Sequence, residues 1–117
     1  MLHLGGCHCG QVSFEFESEP TVLLHRCNCS ICRLMGFEHL IIPSVAFNLL
    51  TNWDRLSVYE FNSCVAKHYF CHRCGVKSFY IPRSNPDGVS VNFRCVDQQY
   101  FTQVKFEDFD GENWEAH

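Results

Sequence analysis

Seven cysteines stand in three clusters whose spacing suits metal binding: Cys7-His8-Cys9-Gly10, Cys27-Asn28-Cys29-Ser30-Ile31-Cys32 and Cys71-His72-Arg73-Cys74-Gly75. Zinc prefers thiolate and imidazole donors in tetrahedral geometry, and short spacings let two thiolates reach one ion from a tight turn. Gly10 and Gly75 follow the last thiol of their clusters. There they let the backbone turn closely, so that amides face the sulfurs. A closed site takes four donors, and the first and third clusters supply two each. Cys7, Cys9, Cys71 and Cys74 would then clamp the amino-terminal strand to the middle of the chain, coupling metal binding to folding. Cys27, Cys29 and Cys32 remain, and three protein donors plus water is the pattern of a catalytic zinc with one open position. Three thiolates leave a divalent ion with a single net negative charge. That weakens it as a Lewis acid and suits exchange of a thiolate ligand better than splitting water. The other pairing joins the second and third clusters and leaves Cys7 and Cys9 spare. Spacing alone leaves both open.

The elements that must position these sulfurs read mostly as short strands. Gln11 to Glu17 alternates, with Val12, Phe14 and Phe16 on one face and Gln11, Ser13, Glu15 and Glu17 on the other. Leu56 to Phe61, Lys67 to Phe70, Lys77 to Ile81, Val89 to Arg94 and Gln103 to Phe106 carry the β-branched and aromatic residues of strands. Ser84-Asn85-Pro86-Asp87-Gly88 is the clearest turn. Helical signals are few: one turn from Ser44 through Phe47, and a short start in the tail, Asp110 to Ala116. These features predict a mainly β fold of short strands, in a single domain over residues 1–117.

Hydrophobic residues make up 46 % of the chain and eleven are Phe, enough for a core that needs no disulfides in its place. An odd cysteine count of nine also argues against a secreted disulfide framework. No apolar run approaches the ~18 residues of a membrane span. The first cluster begins at Cys7, leaving no room for a secretory signal. The expected location is therefore intracellular, cytoplasmic or nuclear and not secreted. The formal charge is −4; seven thiolates subtract seven charges and two Zn²⁺ ions return four, which takes the metal-loaded chain to −7. Such a chain is a poor binder of phosphate backbones, and no basic stripe marks a nucleic-acid face.

The array Gly6-Cys7-His8-Cys9-Gly10, Cys27 to Arg33 and Phe70 to Gly75 resembles the glutathione-dependent formaldehyde-activating enzyme family, which also contains centromere protein V. The likeness continues through Ser78-Phe79-Tyr80, Pro82-Arg83-Ser84-Asn85-Pro86 and Arg94-Cys95-Val96-Asp97. The ending Phe109-Asp110-Gly111-Glu112-Asn113-Trp114-Glu115 is most similar to the centromere protein V branch. The resemblance implies a small zinc-stabilised β-tent of several short antiparallel sheets. It implies that Cys7, Cys9, Cys71 and Cys74 hold a structural zinc and that Cys27, Cys29 and Cys32 hold a second, catalytic one. It further implies a carbon–sulfur lyase chemistry that joins formaldehyde and glutathione into S-hydroxymethylglutathione.

Other residues carry plainer expectations. Cys64 and Cys95 lie outside the array and read as small buried hydrophobes, with Cys95 also a candidate pocket wall near the open metal. His8 and His72 are expected in solvent, and His39 and His68 as partly buried strand residues. Arg83 and Arg94 suit surface ion pairs, or a carboxylate such as glutathione offers. Asp97 suits a turn cap, Phe37 and Tyr80 the core or a pocket wall, and Asp110 and Trp114 docking of the tail.

Two functions follow. One is a zinc-dependent enzyme acting on thiol adducts of small aldehydes, with two Zn²⁺ per chain, glutathione as co-substrate and the second zinc holding a thiolate beside an aldehyde carbonyl. The other is a non-catalytic zinc-stabilised module that recruits a protein partner.

Overall fold

The computed structural model describes residues 1–61, 65–83 and 85–110. The alternating segment forms β2 (Ser13–Glu17), which pairs antiparallel with β1 (Leu2–Gly6) and with β5 (Phe47–Leu49). Phe14 and Phe16 face inward with no exposed surface, and Val12 precedes them on the same side. A second sheet runs in the order β10 (Gln103–Phe109), β3 (Thr21–Cys27), β4 (Glu38–Pro43), β9 (Gly88–Asn92), β8 (Phe79–Tyr80). The third is the pair β6 (Leu56–Tyr59) and β7 (His68–Cys71).

Paired backbone bridges tie the sheets together. Gly5 bridges Val96 beyond β9, and Lys67 and Ile81 exchange two backbone hydrogen bonds of 2.9 Å. Phe14, Phe16, Leu24, Phe79 and Val91 fill the space between the sheets. The Phe14 and Phe79 rings meet edge to face at 5.7 Å, and Phe47 lies 4.7 Å from Phe79. Burying each such side chain contributes about 1.5–3 kcal/mol.

Mainly β structure in small, largely antiparallel sheets agrees with the sequence. One pair departs from it: β10 runs parallel to β3, in register from Gln103↔Thr21 to Phe109↔Cys27. Parallel pairing needs a long crossover, so nothing local in either segment announces it. The strands β1, β3, β4 and β5 and the helix α1 (Ser30–Met35) are further findings. Two glycines obscure β1. Cys29 stands where Ser, Thr, Asp or Asn usually caps a helix, which obscures α1. The turn from Ser44 is a single 3₁₀ turn, Ser44–Ala46. Among the described residues no helix is long and apolar enough to cross a membrane. Cys64, Ser84 and the tail from Gly111, with Trp114, lie outside the described residues.

For the sites, the segment from Lys77 to Tyr80 matters most. All four residues are buried. Phe79 plugs the core while its neighbours Lys77 and Tyr80 are drawn inward with it.

Candidate metal centres

Cys7 ends the run out of β1, and the turn that follows wraps its sulfur in backbone. The Cys7 N–H donates to Val12 O at 3.0 Å, and the Val12 N–H donates to Cys7 Sγ at 3.3 Å. Cys71 closes β7 in the same way. Its sulfur accepts from the Arg73 and Cys74 N–H groups, each at 3.4 Å. Gly10 at φ 84° and Gly75 at φ 76° turn the two loops. A Cβ at either would meet nothing within 4 Å, so the glycine is required by the backbone angle alone.

The two turns bring four sulfurs together although 62 positions separate Cys9 from Cys71. Cys7, Cys9, Cys71 and Cys74 Sγ all lie within 4.8 Å of one another. The Cys7–Cys9 and Cys9–Cys71 separations are 3.7 and 3.6 Å. A disulfide would need ~2.05 Å. Tetrahedral bonds of ~2.3 Å to a central ion place sulfurs about 3.8 Å apart, so the donor set fits a metal. The Val76 N–H draws the Cys74 thiol down to about 6, which favours the thiolate a metal takes.

The second group is local. Cys27 ends β3, Cys29 caps α1 and Cys32 sits in the first turn of that helix. Cys29 Sγ accepts from the Cys32 N–H at 3.4 Å, and the Cys29 N–H reaches Cys27 Sγ at 3.5 Å. The three sulfurs lie within 4.8 Å of one another. The thiols of Cys27 and Cys32 hydrogen-bond to Cys29 and hold it far below the ordinary thiol range, while the same contacts and burial push Cys32 up. Among the described residues neither group includes a histidine or a carboxylate.

Behind these three sulfurs lies a polar and aromatic wall. Tyr80 is held protonated well above the usual phenol value by burial, then by the charges of Cys32, Cys27 and Cys29. The Tyr80 hydroxyl and Ser90 Oγ meet His39 Nδ1 at 3.2 and 3.0 Å. A hydroxyl donating there leaves the ring proton on His39 Nε2, which is buried and has no hydrogen-bond partner. Burial and the nearby Lys77 charge lower His39 to about 4, against the opposing effect of Cys29. Phe37 packs edge-on to Tyr80 at 5.3 Å and lies 4.5 Å from His39. Lys77 Nζ donates to His68 Nδ1 at 2.7 Å, and His68 stacks on Tyr80 at 4.9 Å.

On the outer side, a cleft of about 510 Å³ opens beside Cys27, lined by Arg26, Asn28, Arg33, Asp108, Phe109 and Asp110. The Arg26 guanidinium lies 3.8 Å from the Phe106 ring centre. Asn28 Nδ2 donates to Asp110 Oδ1 at 3.1 Å, tying the end of β10 to the cysteine loop.

The remaining residues singled out from sequence fall as follows. Cys95 is half-buried and lies by the first centre. Burial, then the charges of Cys7 and Cys74, raise it to about 11, so it is no wall of the second centre. Arg94 pairs with Glu38 at 3.8 Å. Neither Arg94 nor Arg83 lines the cleft, where Arg26 and Arg33 stand instead. Asp97 caps its turn through the Gln99 N–H at 3.3 Å. His8 and His72 are exposed, and His72 Nδ1 contacts Arg55 O at 2.6 Å. His39 and His68 are more deeply buried than strand position suggested, at 3 % and 4 % exposure. Lys77 is the residue that sequence reasoning passed over, because nothing beside it in the chain marks it for burial.

The sequence profile of the family described as glutathione-dependent formaldehyde-activating enzyme matches residues 2–112. A Halomonas elongata protein, named as a putative glutathione-dependent formaldehyde-activating enzyme, is 32 % identical over 82 residues. That alignment covers 63 % of this chain and 52 % of the relative, so the chain spans about half the length of the curated relative it matches. The crystal structure of a Rhodobacter sphaeroides protein superposes with a TM-score of 0.74 at 30 % identity, covering 89 % of this chain and 99 % of that one.

Proposed function

Starting from the fact that this chain belongs to the glutathione-dependent formaldehyde-activating enzyme family, we propose that it is a zinc protein acting on glutathione adducts of formaldehyde or a similar small aldehyde. In this reading Cys7, Cys9, Cys71 and Cys74 hold a structural Zn²⁺, and Cys27, Cys29 and Cys32 hold a second whose fourth position is left for a small thiol. The observation that carries the reading is the gathering of three sulfurs, with no fourth protein donor among the described residues, beside an open cleft.

A zinc ion there would supply the means to keep an incoming thiol deprotonated at neutral pH. The chain's own residues supply the rest. Arg26 and Arg33 line the cleft and suit the two carboxylates of glutathione, which guanidinium groups take in bidentate fashion. They fix the tripeptide so that its sulfur lies at the three-cysteine end. The proton released when the incoming thiol ionises is available to the aldehyde oxygen. Adding the sulfur to the carbonyl carbon forms the C–S bond as the C=O π pair moves to oxygen, which takes up a proton. The product is S-hydroxymethylglutathione, and the reverse sequence cleaves it. Holding both reactants together contributes through proximity.

Exchange of formaldehyde with S-hydroxymethylglutathione, followed by NMR, tests this. The zinc-loaded chain accelerates exchange, Cys29→Ser abolishes the acceleration, and Arg33→Ala raises KM for glutathione about 10-fold with a smaller change in kcat, as loss of a carboxylate contact predicts. No acceleration by the zinc-loaded chain, with no thiol-dependent change at the metal, would leave the non-catalytic protein-interaction module as the better reading.

A further inference from the structure

We infer that Lys77 is the built-in counter-ion of the three-cysteine centre, a positioning residue that sets how strongly that centre holds a metal ion. The inference rests on the reading of Cys27, Cys29 and Cys32 as a metal site and goes beyond it.

Lysine is almost never fully buried unless paired, yet Lys77 is only 3 % exposed. A buried ammonium needs an opposite charge or it costs the fold several kcal/mol. Among the described residues no carboxylate pairs with it; Met1, Arg55, Lys67 and Arg94 form ion pairs elsewhere. The near neighbours of its Nζ are uncharged. His68 Nδ1 accepts at 2.7 Å, and the Tyr80 and Phe37 ring centres lie at 4.0 and 5.0 Å. Burial and Lys77 itself keep His68 neutral, so that ring supplies a lone pair and no charge. Aromatic faces add part of the stabilisation of a cation.

Tyr80 links the ammonium to the sulfurs: Lys77 Nζ lies 4.0 Å from its ring centre, and its hydroxyl is within hydrogen-bonding reach of Cys32. Thiolate charge at Cys32, Cys29 and Cys27 works against the burial that lowers Lys77. The two facts fit one arrangement. Three thiolates on a divalent ion carry a single net negative charge, and one ammonium behind them makes the assembly neutral. His68, stacked on Tyr80 at 4.9 Å, fixes the ammonium from the far side. At the first centre the sulfurs are met instead by the backbone N–H groups of Val12, Arg73 and Cys74.

The test compares metal affinity at the two centres in the whole chain. Cadmium NMR gives separate resonances for a four-sulfur and a three-sulfur centre, and a competing chelator ranks their affinities. The wild type takes two ions. Lys77→Met lowers affinity at the three-sulfur centre by about 10- to 100-fold, the usual effect of losing a partner of the metal ligands, and leaves the four-sulfur centre unchanged. Lys77→Arg keeps the charge and recovers most of the loss. Should Lys77→Met not fold, Lys77→Gln, which keeps a polar end for His68 but no charge, makes the same comparison. Unchanged affinity, or equal weakening of both centres, would overturn the inference, as would failure of both neutral variants to fold. A wild-type chain that takes a single ion, at the four-sulfur centre, removes the site reading and the inference together. Two ions with Lys77→Met indistinguishable from wild type removes the inference alone.

Discussion

The two sulfur groups are built on opposite plans. In the first, donors come from two turns far apart in sequence, one after β1 and one after β7, and backbone amides attend them. In the second, all three donors come from one stretch of six residues at the junction of β3 and α1, and a wall of His39, Tyr80, His68 and Lys77 stands behind them. An ion at the first centre joins two turns whose sulfurs stand 62 positions apart. An ion at the second joins nothing that the chain does not already join. The contrast teaches that the first set of donors needs the whole fold to gather it, whereas the second is gathered by one local stretch of chain. Buried polar groups are costly, and these are paired across strands: Lys77 with His68 of β7, and His39 of β4 with Ser90 of β9.

Breaking each centre in turn gives the largest effect. Cys71→Ser removes a donor that is 1 % exposed and releases the long loop it closes. It is expected to abolish cooperative folding or to cost at least about 5 kcal/mol, because binding free energy at such a site is folding free energy. Cys29→Ser is expected to cost no more than about 2 kcal/mol and to leave a folded chain with one ion fewer. Denaturant unfolding at saturating zinc, with metal content measured in parallel, separates the two. Equal losses from both variants would make both centres structural and erase the contrast.

A smaller effect sharpens the same comparison through pH. His39 is lowered from 6.5 to about 4 by burial, so below pH 6.5 the unfolded chain binds a proton that the folded chain refuses. Its contribution to stability is whole above pH 6.5 and is lost as pH falls towards 4. Between pH 6.5 and 5 the loss amounts to about 2 kcal/mol. Unfolding free energies across that interval should fall more steeply for wild type than for His39→Gln, by about that amount. Parallel curves would mean that the wall behind the second centre is open to solvent.

Much of this contrast can be read from the residues in order. The spacing of the seven cysteines marks both groups, and Val12, Phe14 and Phe16 alternate as an inward strand face should. Spacing could not choose between the two pairings, since a thiol four-donor set is chemically the same whichever clusters meet; the folded chain brings Cys7 and Cys9 to Cys71 and Cys74. The parallel pairing of β10 with β3 was hidden because it joins segments 82 positions apart. Lys77 was hidden for a related reason. A lysine beside Ser78 and Phe79 reads as the solvent side of a strand, and only the packing of β8 against β9 and the bridge from Lys67 to Ile81 enclose it. Arg26 and Arg33 were passed over in favour of Arg83 and Arg94, because which arginines reach Cys27 depends on where β10 lies.

Anomalous scattering at the zinc edge from crystals of the chain, combined with metal stoichiometry in solution, tests the central claim most directly. The account predicts two ions per chain: one bound by Cys7, Cys9, Cys71 and Cys74, and one bound by Cys27, Cys29 and Cys32 with a fourth ligand that the protein does not supply. A single ion, a protein side chain completing the second centre, or disulfides among these sulfurs would contradict it.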